Sequence, residues 1–200
     1  MKRLVRLAVA ALALATVAQA QQAPAPPVRV RGTVQAFDGQ TLTLATPKGV
    51  VKLAVGANSA INGVAAKTVA DIRDNTFIGT TAVKDANGRW QATEVHIFPE
   101  SMRGAGEGHY AWDLPESTMT NAAVTGTVAK GAGRTLSLKY AGGTVEVDVT
   151  PKTAIVALTV GDPSLLVRGA TVFALAVAQA DGAPNAVAIV AETKGVKPPM

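Results

Sequence analysis

Residues 30–55 read VRGTVQAFDGQTLTLATPKGVVKLAV, and residues 124–149 read VTGTVAKGAGRTLSLKYAGGTVEVDV. These are two versions of one pattern. Gly32 matches Gly126, Thr33 matches Thr127, Gly39 matches Gly133, Thr41-Leu42 matches Thr135-Leu136, and Gly49 matches Gly143, each pair 94 positions apart. The same offset recurs at Ala60/Ala154, Ile61/Ile155, Ala82/Ala176, Gly88/Gly182 and Ala92/Ala186. Self-similarity at one spacing without a gap is the signature of a duplicated unit. The copies run over 28–98 and 122–192. Around them lie a proline-rich arm at 21–27, a unique junction at 99–121 and a tail at 193–200.

Each copy reads as five strands. In the second, Ala123 to Lys130 forms the first, and Thr135-Leu136-Ser137-Leu138 and Val145-Glu146-Val147-Asp148-Val149 alternate strictly. Alternation sends aliphatic side chains to one face and polar ones to the other. Asp38-Gly39, Asn87-Gly88, Gly142-Gly143 and Asp181-Gly182 are hairpin signals, because glycine accepts the positive φ that such turns need. Asp162-Pro163 opens one helical turn, with Asp as the cap and Pro where a missing N–H costs nothing. Thr68 to Ile72 is its counterpart. Two further strands follow, near 76–84 and 89–98 in the first copy and near 170–178 and 185–192 in the second.

Three strands, a short helix and two strands predict an all-β fold of two tandem OB-like five-stranded Greek-key barrels, each closing on itself. Closure removes exposed strand edges. Barrels of about 70 residues are marginal alone, and docking through the junction would help. A single β-sandwich built from both halves is the alternative.

Residues 1–20 carry Lys2, Arg3 and Arg6, an apolar run from Leu7 to Val17 and Ala18-Gln19-Ala20. A basic start, a short apolar stretch and small residues at the cleavage site form a secretory signal peptide, so a periplasmic protein is expected. A membrane span needs about 20 apolar residues, and none follows. Without the first 20 residues, 16 of the 19 Lys and Arg face 14 Asp and Glu, a net charge of +2. No basic cluster suggests nucleic acid. The chain has no cysteine, which excludes disulfides, thiol nucleophiles and zinc–thiolate sites.

RGTVQAFDGQTLTLATPKG at 31–49 and IRDNTFIGTTAVKDANGRWQATEV at 72–95 resemble the bacterial exported family known as domain of unknown function 5666. The resemblance covers both copies. The junction and the tail GVKPPM are similar to a two-copy proteobacterial subgroup, some of whose members are called metal ABC transporter permeases. A permease needs several spanning helices, and the sequence has no segment for them. The resemblance implies an exported β-fold and no catalytic motif. Asn75 stands where many relatives have glycine, which the second copy supplies as Gly169.

Polar chemistry collects in the junction, PESMRGAGEGHYAWDLPESTM at 99–119. Glu107, His109 and Asp113 offer a metal two carboxylates and an imidazole, with Gly104, Gly106 and Gly108 letting the loop fold around an ion. The competing reading is a structural strap. In it Tyr110 and Trp112 cover a barrel mouth or the seam, as amphipathic rings do, and Arg103 pairs with neighbouring acids. The repeated Pro-Glu-Ser at 99–101 and 115–117 reads as turn chemistry. His96, between Val95 and Ile97, is expected to face solvent, with Glu94 beside it. No catalytic serine, zinc or phosphate-loop motif is present. The expected role is non-catalytic binding of an envelope protein, glycan or small ligand, with no cofactor. A metal-binding accessory protein is the alternative and an envelope hydrolase a remote one.

Overall fold

The computed structural model describes residues 27–180 and 182–199. Residues 1–20, read as a signal peptide, and most of the proline-rich arm lie outside the described residues. The first copy forms β1 (Val28–Phe37), β2 (Thr41–Thr46), β3 (Gly49–Ala54), β4 (Ala60–Ala66), β5 (Phe77–Lys84) and β6 (Trp90–Ile97). The junction adds β7 (Gly108–Ala111). The second copy forms β8 (Thr118–Lys130), β9 (Gly133–Tyr140), β10 (Gly143–Val149), β11 (Ala154–Val160), β12 (Thr171–Val177) and β13 (Asn185–Ala191). The chain is almost wholly β, as expected. Among the described residues the helical content is three short 3₁₀ turns, at Val69–Asp71, Glu100–Met102 and Pro163–Leu165. The side chain of Asp162 caps the last by accepting from Ser164 N at 2.7 Å.

Two expectations are corrected here. Each copy has six strands, not five: β4 and β11 are additional. The segment Ala154 to Val160 is an unbroken apolar run except for Thr159, so it lacks the alternation that marks the other strands.

The second correction concerns closure. Neither half closes on its own. The strands β1, β2 and β3 form a meander whose open sides meet β12 and β13 of the other copy. Likewise β8, β9 and β10 are completed by β5 and β6. In each ring the last strand runs parallel to the third and meets it at one bridge, Asn185↔Ala54 in the first and Asp148↔Gln91 in the second. Between the rings β4 and β11 pair antiparallel, and each also runs parallel to the other copy's last strand. Val64 faces Leu158 in that ribbon, and these two are equivalent by the 94-residue offset. A local two-fold axis therefore passes through the Val64–Leu158 pair. One sheet runs through the whole chain.

The exchange is compatible with the sequence because duplicated strands offer duplicated edges. The ribbon of β4 and β11 carries each copy's last two strands across the axis, where they find the same partners that their own copy presents. The first strand shows the one break in the offset. Val34 faces Leu44, whereas Val124, 90 positions on, faces Leu138, 94 positions on. The second hairpin is four residues longer. An even slip keeps inward residues inward, so Val34 and Val124 both stay in a core.

Each ring has its own core. Leu42, Leu44, Leu53 and Ile189 fill the first, and Ile78, Val95, Leu136 and Leu138 the second. Each contributes roughly 1.5–3 kcal/mol by leaving water. A third cluster lies outside both rings: Val64, Val156, Leu158, Phe173 and Val190, roofed by Phe98 at the end of the first copy, Met102 and Trp112 of the junction and Val196 of the tail.

Candidate functional site

The junction is a strap laid over that third cluster. After Pro99 the chain makes a 3₁₀ turn. Gly104, Gly106 and Gly108 then take φ of 84°, 59° and 148°, a region open to glycine and strained for other residues. These glycines fold the strap around an amide rather than an ion. Asn121 Nδ2 donates to the carbonyls of Ala105 and Gly106, each at 3.2 Å, and to Tyr110 Oη at 3.4 Å. The strand β7 follows and pairs with the start of β8. A turn closed by Ser117 Oγ donating to Leu114 O, 2.7 Å, ends the strap, which accounts for the second Pro-Glu-Ser.

Arg103, Tyr110 and Trp112 lie within the strap. Arg103 pairs with Glu100, holding that carboxyl below its ordinary range, and donates to Asn75 O at 2.8 Å. Asn75 has φ of 64° and its counterpart Gly169 a φ of 91°, so the glycine expected from the family pattern has a conformational reason. Trp112 packs on the third cluster with the guanidinium of Arg29 3.7 Å from its ring centre. Tyr110 lies 6.1 Å from Trp112, ring centre to ring centre.

The three candidate metal ligands do not converge. Among the described residues no three His, Cys, Asp or Glu side chains are placed to hold a metal ion. Glu107 is exposed at the turn. His109 Nδ1 is 2.8 Å from Thr120 Oγ1, and its ring stacks on Tyr140 at 6.0 Å and meets Trp90 edge-on at 5.7 Å. Asp113 forms an ion pair with Arg31. The physical reason is that residues 108–111 are a strand, so His109 is committed to one side of β7 while Asp113 lies beyond its end.

His96 overturns its expectation. Val95 and Ile97 do face the core, but the outer face is not solvent. The strap covers it, and His96 is 4% exposed. Its ring meets Phe98 edge-on at 4.9 Å. Burial alone pushes its pKa down to about 4, so the imidazole is neutral near pH 7. Room for the ring comes from Gly79 on β5: a Cβ there would lie 2.0 Å from His96 Nε2 and 2.6 Å from Asn121 Oδ1.

His96 and Asn121 line a cavity of about 240 Å³ between the strap and the seam. Its other walls are mostly apolar, among them Met102, Trp112, Met119, Leu158, Phe173 and Leu175. Among the described residues, His96 Nδ1 and Asn121 Oδ1 are buried without a hydrogen-bond partner. The cavity was not foreseen from sequence. One signal pointed to it: Gly79 and His96 stand where the second copy has Phe173 and Val190.

Beside the cavity a second pocket of about 230 Å³ holds Glu94, Thr81, Arg31 and Asp113. Glu94 is 3% exposed and accepts from Thr81 Oγ1 at 2.7 Å. Burial pushes its pKa up to about 7, against the opposing pull of Thr81 and Arg31. It is a carboxyl poised to exchange a proton near neutrality.

Among the described residues no helix is long and apolar enough to cross a membrane. No protein-family model, curated protein or solved structure matches this chain.

Proposed function

We propose that the chain is a non-catalytic binding protein of the cell envelope, built on two OB-like barrels whose last strands are exchanged between the copies. The OB-like reading is supported by the ring order: a three-stranded meander, a helical turn, then two strands of which the last runs parallel to the third. Export is supported by the basic and apolar N-terminal sequence, and membership of the domain of unknown function 5666 family by the residues that resemble it.

The observation that carries the binding reading is the strap-covered cavity with two unpartnered buried polar atoms at its wall. Each such atom costs about 1–3 kcal/mol. Retaining both beside open space is explained by a molecule that binds there. Among the described residues the metal alternative has no ligand cluster to rest on. For the hydrolase alternative, Asp113 is paired with Arg31 and Glu94 accepts from Thr81.

The test is native mass spectrometry of the mature chain released gently from periplasm, beside the Ala188→Leu variant, which extends a side chain into the cavity. A small-molecule adduct on the parent and its loss in the variant support the reading. A bare chain mass in both contradicts it.

A further inference from the structure

Resting on that reading, we infer that the seam cavity takes an uncharged, compact and mostly apolar molecule with one hydroxyl group, of the phenol or small-alcohol class, the hydroxyl seated between His96 and Asn121. Three observations carry this. The first is size: about 240 Å³ holds roughly eight waters at ~30 Å³ each, so a ligand of about eight to ten heavy atoms. The second is charge. Among the described residues none of the cavity's lining side chains is an acid, a lysine or an arginine, so an ionic ligand would lose its hydration without gaining a counter-charge.

The third is the polar wall. Asn121 has spent its donors on Ala105 O, Gly106 O and Tyr110 Oη, which fixes the amide's orientation and leaves Oδ1 as an acceptor needing a donor. His96 is a neutral imidazole, offering one N–H and one lone pair. His96 Nε2 and Asn121 Oδ1 lie on the same side of Gly79, 2.0 and 2.6 Å from where a Cβ would stand, and the imidazole nitrogen left without a partner is Nδ1. A hydroxyl is both donor and acceptor. It donates to Asn121 Oδ1 and takes the imidazole as its second partner. A pure hydrocarbon leaves Oδ1 unpaired, and a carboxylate presents a second acceptor to it.

The test compares three probes of one shape by NMR titration of the mature chain: p-cresol, p-xylene and p-toluate. The expected result is that p-cresol binds at least about tenfold more tightly than p-xylene, the discrimination expected when one probe pairs the buried acceptor Asn121 Oδ1 and the other leaves it unpaired, and that p-toluate gives no saturable shift at millimolar concentration. His96→Val, the residue of the second copy, should cut that preference severalfold. Ala188→Leu should abolish binding of both neutral probes. Should His96→Val fail to fold, the comparison in the parent chain decides alone. Equal binding of p-xylene and p-cresol, or of p-toluate and p-cresol, overturns the ligand class. If Ala188→Leu still removes that binding, the seam stands as a binding site. No binding by any probe, or binding that Ala188→Leu leaves unchanged, overturns the class and the site together.

Discussion

The outward faces of the last two strands differ sharply between the copies. The first copy presents Gly79, Thr81, Glu94 and His96; the second presents Phe173, Leu175, Ala188 and Val190 at the equivalent positions. One face packs apolar side chains into the seam, and the other brings a glycine, a hydroxyl, a carboxyl and an imidazole beneath the strap. The strands beneath are the same, with a bulge at the same place: between Thr81 and Ala82 in one, between Leu175 and Ala176 in the other. Duplication supplied the frame. The candidate chemistry sits where the copies diverged.

Five substitutions sharpen that contrast. Phe173→Ala should cost most, about 3–5 kcal/mol in urea denaturation, as expected of a buried aromatic lost from a core. Glu94→Gln should act in the opposite direction. Its carboxyl is raised from 4.5 to about 7, so the folded chain binds a proton that the unfolded chain has released, and stability falls as pH rises from about 4.5 to 7. The glutamine variant should gain about 3 kcal/mol at pH 8 and almost nothing at pH 4. His96, lowered from 6.5 to about 4, works the other way, so stability rises with pH between those values. The two slopes nearly cancel in the parent between pH 4.5 and 6.5, and Glu94→Gln should expose the rising one.

Gly79→Ala should cost about 2 kcal/mol, because the new methyl meets the His96 ring. Adding His96→Val should recover about 1 kcal/mol or more, read from a double-mutant cycle. No recovery would detach Gly79 from His96. The smallest effect concerns ring closure. Asp148 of β10 accepts from Arg89 twice at 2.9 Å, from Thr135 at 2.5 Å and from Lys130, where the first ring has Ala54. These bonds, that from Arg89 foremost, hold its carboxyl far below the usual range. The two cations are about half exposed, so Asp148→Ala should cost only about 1 kcal/mol near neutral pH. That cost should be present above the unfolded carboxyl's pKa and fade as pH falls toward the folded one.

Much of the frame was legible in the residues. Alternation and glycine turns gave the β-class, Asp162 and Pro163 the helical turn, and the amphipathic rings of Tyr110 and Trp112 the strap. What escaped was non-local. A duplicated strand pairs as well with its sister copy's edge as with its own, so no local pattern separates exchange from self-closure. The extra strand at Ala154–Val160 has no polar and apolar alternation to mark it, because its less buried positions, Ile155, Ala157 and Val160 among them, are apolar like the buried Val156 and Leu158. His96 was assigned its correct face, but only the strap, folded back around Asn121, makes that face an interior. Glu107, His109 and Asp113 looked like ligands by spacing along a loop, and a four-residue strand places them apart.

The exchange of strands creates the seam, so it is the point on which the account rests. Interstrand nuclear Overhauser effects on the labelled mature chain test it directly. The exchanged fold pairs Val30 with Ala174 and predicts cross-strand contacts between β1 and β12. Contacts between Val30 and Thr80, the position equivalent to Ala174 in its own copy, would show that each half closes on itself and would contradict it.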